Sequence, residues 1–405
     1  NSRFGTNFSN QLLVTYSKLD DMRGSPSQKF PHIDIMNGYT TDAEGNVTQD
    51  LTPYMTAGYE LFTWNNGVHN NAITAKDDIT YYKGNHKVTA GISYDYQMAD
   101  NAYMRNGTGY YRYASLEDFL GQKAPETVCL TYGYDGEAVP AARVRFHKAG
   151  IYAQDEWQAG DNFKLTAGIR FEMPVYPTIA DNTNKEFINL AVPGTSIYGM
   201  STADMPKARL NVSPRIGFNW DVLKNRNLIV RGGTGIYTGR IPFVWIVSAA
   251  GNSNCLQAQY IDADGTGAMT PEFHNKLGDI LNDIYGGSFK AQDLAAPTAA
   301  TIMDKELKMP TTWKSSLAVE GRLPGGIKAT LEGIYNKDLT SVYVHKLGQA
   351  EKAAGIQLPG EPAKRKSWGS EGIKNSQNSS VTPYYITNTD VKGHYWSVTA
   401  MLQKD

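Results

Sequence analysis

In the segment HKVTAGISYDYQ (86–97), Val88, Ala90, Ile92, Tyr94 and Tyr96 fall on one side of a two-residue period, and Thr89, Gly91, Ser93, Asp95 and Gln97 fall on the other. One apolar and one polar side at period two predict a half-buried β-strand. The pattern recurs. Phe163, Leu165, Ala167, Ile169, Phe171 and Met173 alternate with Lys164, Thr166, Gly168, Arg170 and Glu172. In 207–221 the apolar side is Leu210, Val212, Ile216, Phe218 and Trp220, and the polar side includes Arg209, Ser213, Arg215 and Asn219. Segments 311–323, 327–336 and the final run through Trp396, Val398, Ala400 and Leu402 repeat it. Weaker examples occupy 7–20, 69–82, 145–158 and 227–240; Asp77 and Asp155 land on otherwise apolar sides, which suggests a membrane interface or a bulge there. The reading is about ten strands, most longer than the usual five or six residues.

The connections decide what the apolar side meets. KGNH (83–86), AGDN (159–162), VLKNRN (222–227) and PGG (324–326) are short, and they alternate with long segments at about 21–68, 102–143, 175–207, 241–310 and 338–390. Short turns at one end and long loops at the other are the asymmetry of an outer-membrane barrel. A soluble all-β protein, the competing reading, has short connections at both ends. Aromatics agree. Tyr81, Trp157, Phe163 and Trp220 lie close to short turns, whereas Tyr94, Tyr237, Trp313 and Trp396 lie near the long loops. Two such girdles suit the two membrane interfaces. The expected fold is therefore all-β: a transmembrane antiparallel β-barrel with short periplasmic turns and long extracellular loops. Residues 114–122 and 271–285 carry helical spacing inside those loops, the second with Phe273, Leu277, Ile280, Leu281 and Ile284 apolar and Pro271 suited to a first helical turn.

Composition narrows the class. The 39 basic and 40 acidic residues of the 405 nearly cancel, which gives no electrostatic case for nucleic acid. No apolar run approaches the roughly 18 residues that a spanning helix needs; the longest, IPFVWIVSAAG (241–251), opens at a strand-ending Pro242. The chain begins NSRFGTNFSN, without Met, a charged start or an apolar stretch, as a mature, trimmed or excised chain would. Cys129 and Cys255 have no metal-ligand spacing, and neither do the seven histidines. DADGTG (262–267) starts like a calcium loop, but Phe273 stands where the twelfth-position glutamate belongs. RGGTGIYTG (231–239) lacks the Lys-Ser/Thr ending of a phosphate loop; its glycines read as places where a plug or neighbouring chain comes close. No catalytic arrangement, metal site or cofactor is expected, and the chain does not read as an enzyme. The candidate site is the inner wall, where Arg170, Glu172, Arg209, Arg215 and Arg231 point inward, Arg170 and Arg215 at similar heights.

Taken together, IYAQDEW (151–157), FKLTAGIRFE (163–172), SPRIGFNWD (213–221), GRIPFVW (239–245) and GNHKVTAGISYDYQ (84–97) resemble the barrel of TonB-dependent outer-membrane receptors, most of all the Oar-like type that bears a carboxypeptidase-regulatory-like domain. The resemblance runs from about residue 4 to about 345. It implies a 22-stranded barrel of which residues 1–405 form an interior portion, without a plug domain, TonB box or signal peptide; a ten-stranded barrel closing on itself is the structural alternative. It also implies that the inner-wall charges hold a plug; a solvated wall and direct ligand contact are the alternatives. The implied function is active transport across the outer membrane of a Gram-negative bacterium, with ligand bound by the long loops and imported through the TonB–ExbB–ExbD complex using proton-motive force. Outer-membrane lipids, lipopolysaccharide and a surface lipoprotein are the implied partners, and the substrate is unspecified. A docking or adhesion barrel and a passive porin are the other functional readings.

Overall fold

Tight hairpins set the register of the main sheet. Gly84, at φ +56°, leads a two-residue turn between Lys83 and His86, a backbone that favours glycine and matches the twist of the flanking strands. Gly325 and Gly326, at φ +80° and +76°, do the same after Leu323. The structure, a computed structural model, describes residues 1–133, 141–179, 201–251, 256–262, 272–285, 299–370 and 382–404.

In chain order the strands are β1 (Ser2–Phe4), β2 (Phe8–Met22), β3 (His32–Thr41), β4 (Val47–Ala57), β5 (Gly67–Lys83), β6 (His86–Ala102), β7 (Tyr110–Tyr113), β8 (Thr127–Gly133), β9 (Ala141–Gly160) and β10 (Phe163–Val175). They continue as β11 (Asn211–Asp221), β12 (Leu228–Thr238), β13 (Gln257–Asp262), β14 (Ala299–Met303), β15 (Thr311–Leu323), β16 (Ile327–Lys346), β17 (Gln349–Ile356), β18 (Arg365–Ser370), β19 (Thr382–Thr389) and β20 (His394–Lys404). The wall is one antiparallel ladder, β1-β2-β5-β6-β9-β10-β11-β12-β15-β16, with β20 pairing the lower half of β16. Every strand expected from the alternation lies in it, and each of the four short connections joins neighbouring wall strands. The sheet stays open: β1, on the outer edge of β2, ends it on one side. On the other side β16 is followed by β20 along its lower half and by β19 and then β14 along its upper half.

One face of this wall is apolar and uncovered. Ile92 is 61% exposed, Ile151 58%, Leu317 53% and Val398 65%, and all four share that face. An oily surface of this extent is untenable in water and suits lipid. Asp77 and Asp155 also face outward, but neither marks a bulge. The ladder runs unbroken through both; Asn10 donates to Asp77 at 2.6 Å, and Asp155 meets His86 at 2.7 Å beside the turn.

Burial is concentrated at the long-loop end. A five-stranded sheet, β13-β8-β7-β3-β4, collects strands from three different loops. Its buried side holds Ile33, Ile35, Tyr111, Tyr113, Val128 and Leu130, closed by Ile280 from the helix Leu277–Tyr285. That helix begins six residues after the expected start; Phe273 precedes it as coil and rests on Phe30 and Tyr111, while Pro271 lies outside the described residues. The helix Leu116–Leu120 falls inside 114–122, capped by the Ser115 hydroxyl, which accepts from the Asp118 amide. A second core packs Ile241, Ile246 and Ala249 against Ala142, Val144 and Phe146 of β9. Here 243–251 is a helix, an element the sequence reading had not assigned; its apolar residues cover the upper inner side of the wall.

Candidate functional site

Alternation along the strands puts charged side chains on the inner face, and hairpin register decides which of them meet. Across β5, β6, β9 and β10 they form a connected network. Lys76 Nζ lies 2.7 Å from Asp78, and Asp78 also accepts from the Tyr152 hydroxyl. Arg170 stacks over the Tyr152 ring at 4.9 Å, donates to Ser93 at 2.8 Å and pairs with Glu172 at 2.8 Å. Lys148 bridges Glu172 at 3.5 Å and Asp95 at 3.1 Å, and Thr74 donates to Asp95 at 2.9 Å. Glycine makes room for this crowding: a Cβ at Gly91 would stand 2.4 Å from the Tyr152 hydroxyl.

Of the expected inner residues, Arg170, Glu172, Arg215 and Arg231 share this face. Arg231 donates to Glu320 at 2.8 Å, and Lys328 holds the same carboxylate at 3.0 Å. Arg209 is different. It lies before the first residue of β11 and pairs with Glu306 in the loop after β14, together with Lys207. Lys207 and Arg209 hold the Glu306 carboxyl below its usual range. Arg209 is thus a loop-cluster residue, because the strand starts two positions after it. Arg170 and Arg215 are not level either. Arg170 faces Ser213, and Arg215 faces Gly168, one inward position nearer the short turns. Lys76, Asp78, Asp95, Lys148 and Tyr152 were not singled out from the sequence, although the same alternation places each of them inward.

Of the eight aromatics expected at the interfaces, seven project from the outer face. Tyr81 stacks on Phe8 with ring centres 4.6 Å apart, Trp157 stacks on His86, and Phe163 stands opposite Trp220, all near short turns. Toward the loops, the Tyr94 hydroxyl meets His147 at 2.8 Å, Trp313 donates to Thr234 at 2.6 Å, and Trp396 faces Tyr335. The rows stand about 20–27 Å apart along the strands, at about 3.4 Å per residue. Tyr237 does not belong to them; it faces inward, one inward position above Arg215, whose guanidinium lies over its ring.

The glycines of 231–239 approach neighbouring strands of this same chain. A Cβ at Gly232 would stand 2.9 Å from the Ser316 carbonyl, and one at Gly233 would stand 3.1 Å from that of Ile216. Cys255 and residues 263–267 lie outside the described residues, as do the sequence-based expectations that fall on them.

The other side of the loop sheet is polar and linked. Asp34 accepts from Thr56 at 2.7 Å and from Tyr110 at 3.0 Å, with His32 at 3.4 Å; Glu126 holds Arg112 and Gln49. Burial pushes the Tyr110 and Tyr111 hydroxyls well above the usual tyrosine range, with Asp34 adding to the shift at Tyr110. The outermost strand, β4, is mostly exposed along its length and carries Leu51, Tyr54 and Met55 uncovered. Among the described residues, no group of three His, Cys, Asp or Glu is placed to hold a metal ion.

An open antiparallel wall with an oily outer face, two aromatic rows and a charged inner face defines an outer-membrane barrel. Residues 1–404 match the outer membrane beta barrel domain family, and the chain belongs to it. It is an integral outer-membrane β-barrel protein. The fold is similar to that of the outer membrane transporter YddB from Escherichia coli, at 12% identity and a TM-score of 0.50, over 98% of this chain and 37% of that one. The siderophore receptor PirA from Acinetobacter baumannii matches at 11% identity and a TM-score of 0.44, over 98% of this chain and 40% of that one. The chain thus spans well under half the length of either. No curated protein sequence matches it.

Proposed function

We propose that residues 1–405 form an interior portion of the barrel of an Oar-like TonB-dependent receptor, which binds a ligand through its outer loops and imports it with force transmitted by the TonB–ExbB–ExbD complex. The observation that carries this reading is the folding of three long loops into one sheet with its own core. A passive channel needs no such structure at its mouth, whereas a receptor needs a shaped surface held rigidly over the barrel. The inner network through Arg170 and Glu172, and the Arg231–Glu320 pair, supply ion pairs and hydrogen bonds for a plug. Growth on the ligand, or its accumulation in cells, should be lost on removal of TonB; uptake that continues without TonB overturns the import reading.

A second reading draws on β4. An exposed edge strand with uncovered Leu51, Tyr54 and Met55 is suited to strand addition by a partner such as a surface lipoprotein. Co-purification of that partner from cells lacking TonB favours docking over transport. Lipopolysaccharide is the proposed neighbour of the upper outer face, where Arg143 is 56% exposed even while bidentate to Asp100.

The aromatic rows are proposed to sit at the two membrane interfaces. Trp220→Asp should therefore reduce assembly into the membrane, by about 1–2 kcal/mol. Heat-modifiable mobility on gels reads this out, and wild-type yield of folded barrel refutes it.

A further inference from the structure

One inner-face row is charged without being balanced. Register aligns Gln154, Gly168, Arg215, Gly235, Lys314 and Asn336 across β9, β10, β11, β12, β15 and β16. Arg215 and Lys314 stand two strands apart, about 9.5 Å between their backbones. Between them, one inward position higher, the Tyr237 ring receives both: the Arg215 guanidinium lies 4.4 Å from its centre and the Lys314 ammonium 5.5 Å. Gly235 permits this arrangement, since a Cβ there would stand 3.0 Å from Arg215 Cγ.

Among the described residues, neither cation has a carboxylate within ion-pairing distance, although several inner charges on either side are matched. Glu172 and Asp95 take Arg170 and Lys148. Glu320, on the same strand as Lys314, is taken by Arg231 and Lys328. Asp338 accepts from Thr312 instead. Between the two cations opens a cleft of about 510 Å³, lined by Gln154, Gly168, Arg215, Tyr237, Lys314 and Asn336, with no acidic residue among its walls.

We propose that this cleft is an anion subsite of the inner wall, taking a carboxylate or phosphate group. Arg215 offers the planar fork that grips two oxygens, and Lys314 adds a point charge on the far side. Gln154 and Asn336 supply neutral amide donors at the two ends of the row. Tyr237 holds both cations in place while the cleft is empty. The proposal rests on the receptor reading and names a ligand chemistry for it. The anion comes from one of two sources: a soluble ligand, or an acidic segment of the receptor itself.

The test uses the full-length receptor in detergent at low salt, titrated calorimetrically with citrate and with inorganic phosphate. If a soluble ligand is the source, the parent binds citrate, and R215Q/K314Q weakens binding at least about tenfold, the scale of losing two charge-assisted contacts. Lys328→Gln, which removes an inner charge outside the cleft, leaves binding unchanged. If the receptor's own acidic segment is the source, the parent binds neither probe. Hydrogen exchange then shows that segment losing protection in R215Q/K314Q and keeping it in Lys328→Gln. Parent-like citrate binding by R215Q/K314Q overturns the proposal, and so does a parent that binds neither probe with no segment responding. Heat-modifiable mobility verifies that each variant is folded. The titration needs no TonB, so loss of TonB-driven import leaves its outcome standing.

Discussion

Leu317→Arg should abolish stable assembly of the barrel in the outer membrane. Leu317 lies mid-strand on the outer face of β15, opposite Gly232 and Gly333 and four residues from Trp313. A cation near the bilayer midplane costs about 2–4 kcal/mol on a barrel's lipid face. Thr330→Arg, on the inner face of β16 and opposite Glu320 in register, introduces the same charge and should assemble normally. The comparison isolates facing from chemistry. Folding yield into lipid vesicles, followed by heat-modifiable mobility, measures both; equal yields would mean that the two faces do not meet different solvents.

Tyr111→Ala should dismantle the loop sheet and leave the wall standing. Tyr111 is fully buried, and its hydroxyl donates to the Glu272 carbonyl at 3.3 Å and accepts from the His274 amide at 3.2 Å. It therefore joins β7 to the segment leading into the helix Leu277–Tyr285, about 160 residues away. Removing a buried ring of this size costs about 3–5 kcal/mol, comparable with the whole stability of a small sheet. Proteolysis should become rapid at 110–133 while the barrel keeps its heat-modifiable mobility. Protection equal to wild type would show that the sheet does not depend on this core. On the proposed receptor function, ligand binding through the loops should fall with the sheet, because the surface is assembled by three loops and no single loop holds it.

How the wall could be read and the loops could not follows from particular residues. Ile92 and Ser93 face opposite solvents, and so do the neighbouring pairs along the membrane-spanning part of β6. A barrel wall forces that choice at each residue, so the alternation is written locally. The turns are local too: Gly84 and the Pro324–Gly326 turn announce themselves. Arg170, Glu172, Arg215 and Arg231 were therefore placed on the inner face from parity alone. Parity says nothing about partners. The Arg170–Ser93 contact, the pairing of Arg231 with Glu320 and the stacking of Arg215 over Tyr237 depend on which strands lie side by side and in what register. Arg209 had the right parity and the wrong place, since strand ends are set by what the chain meets next.

By itself, the sequence determined an outer-membrane wall: its strands, most of their inward and outward residues, the short turns and the end that carries the loops. Each of these is decided by side chains a few residues apart and by the two solvents on either side. Only the tertiary structure decided that β3, β7, β8 and β13 form one sheet, that 243–251 is a helix against the inner wall, and that Arg215 and Lys314 share a cleft. Those outcomes rest on packing between segments tens to hundreds of residues apart, where many partners satisfy the same local pattern and burial selects one.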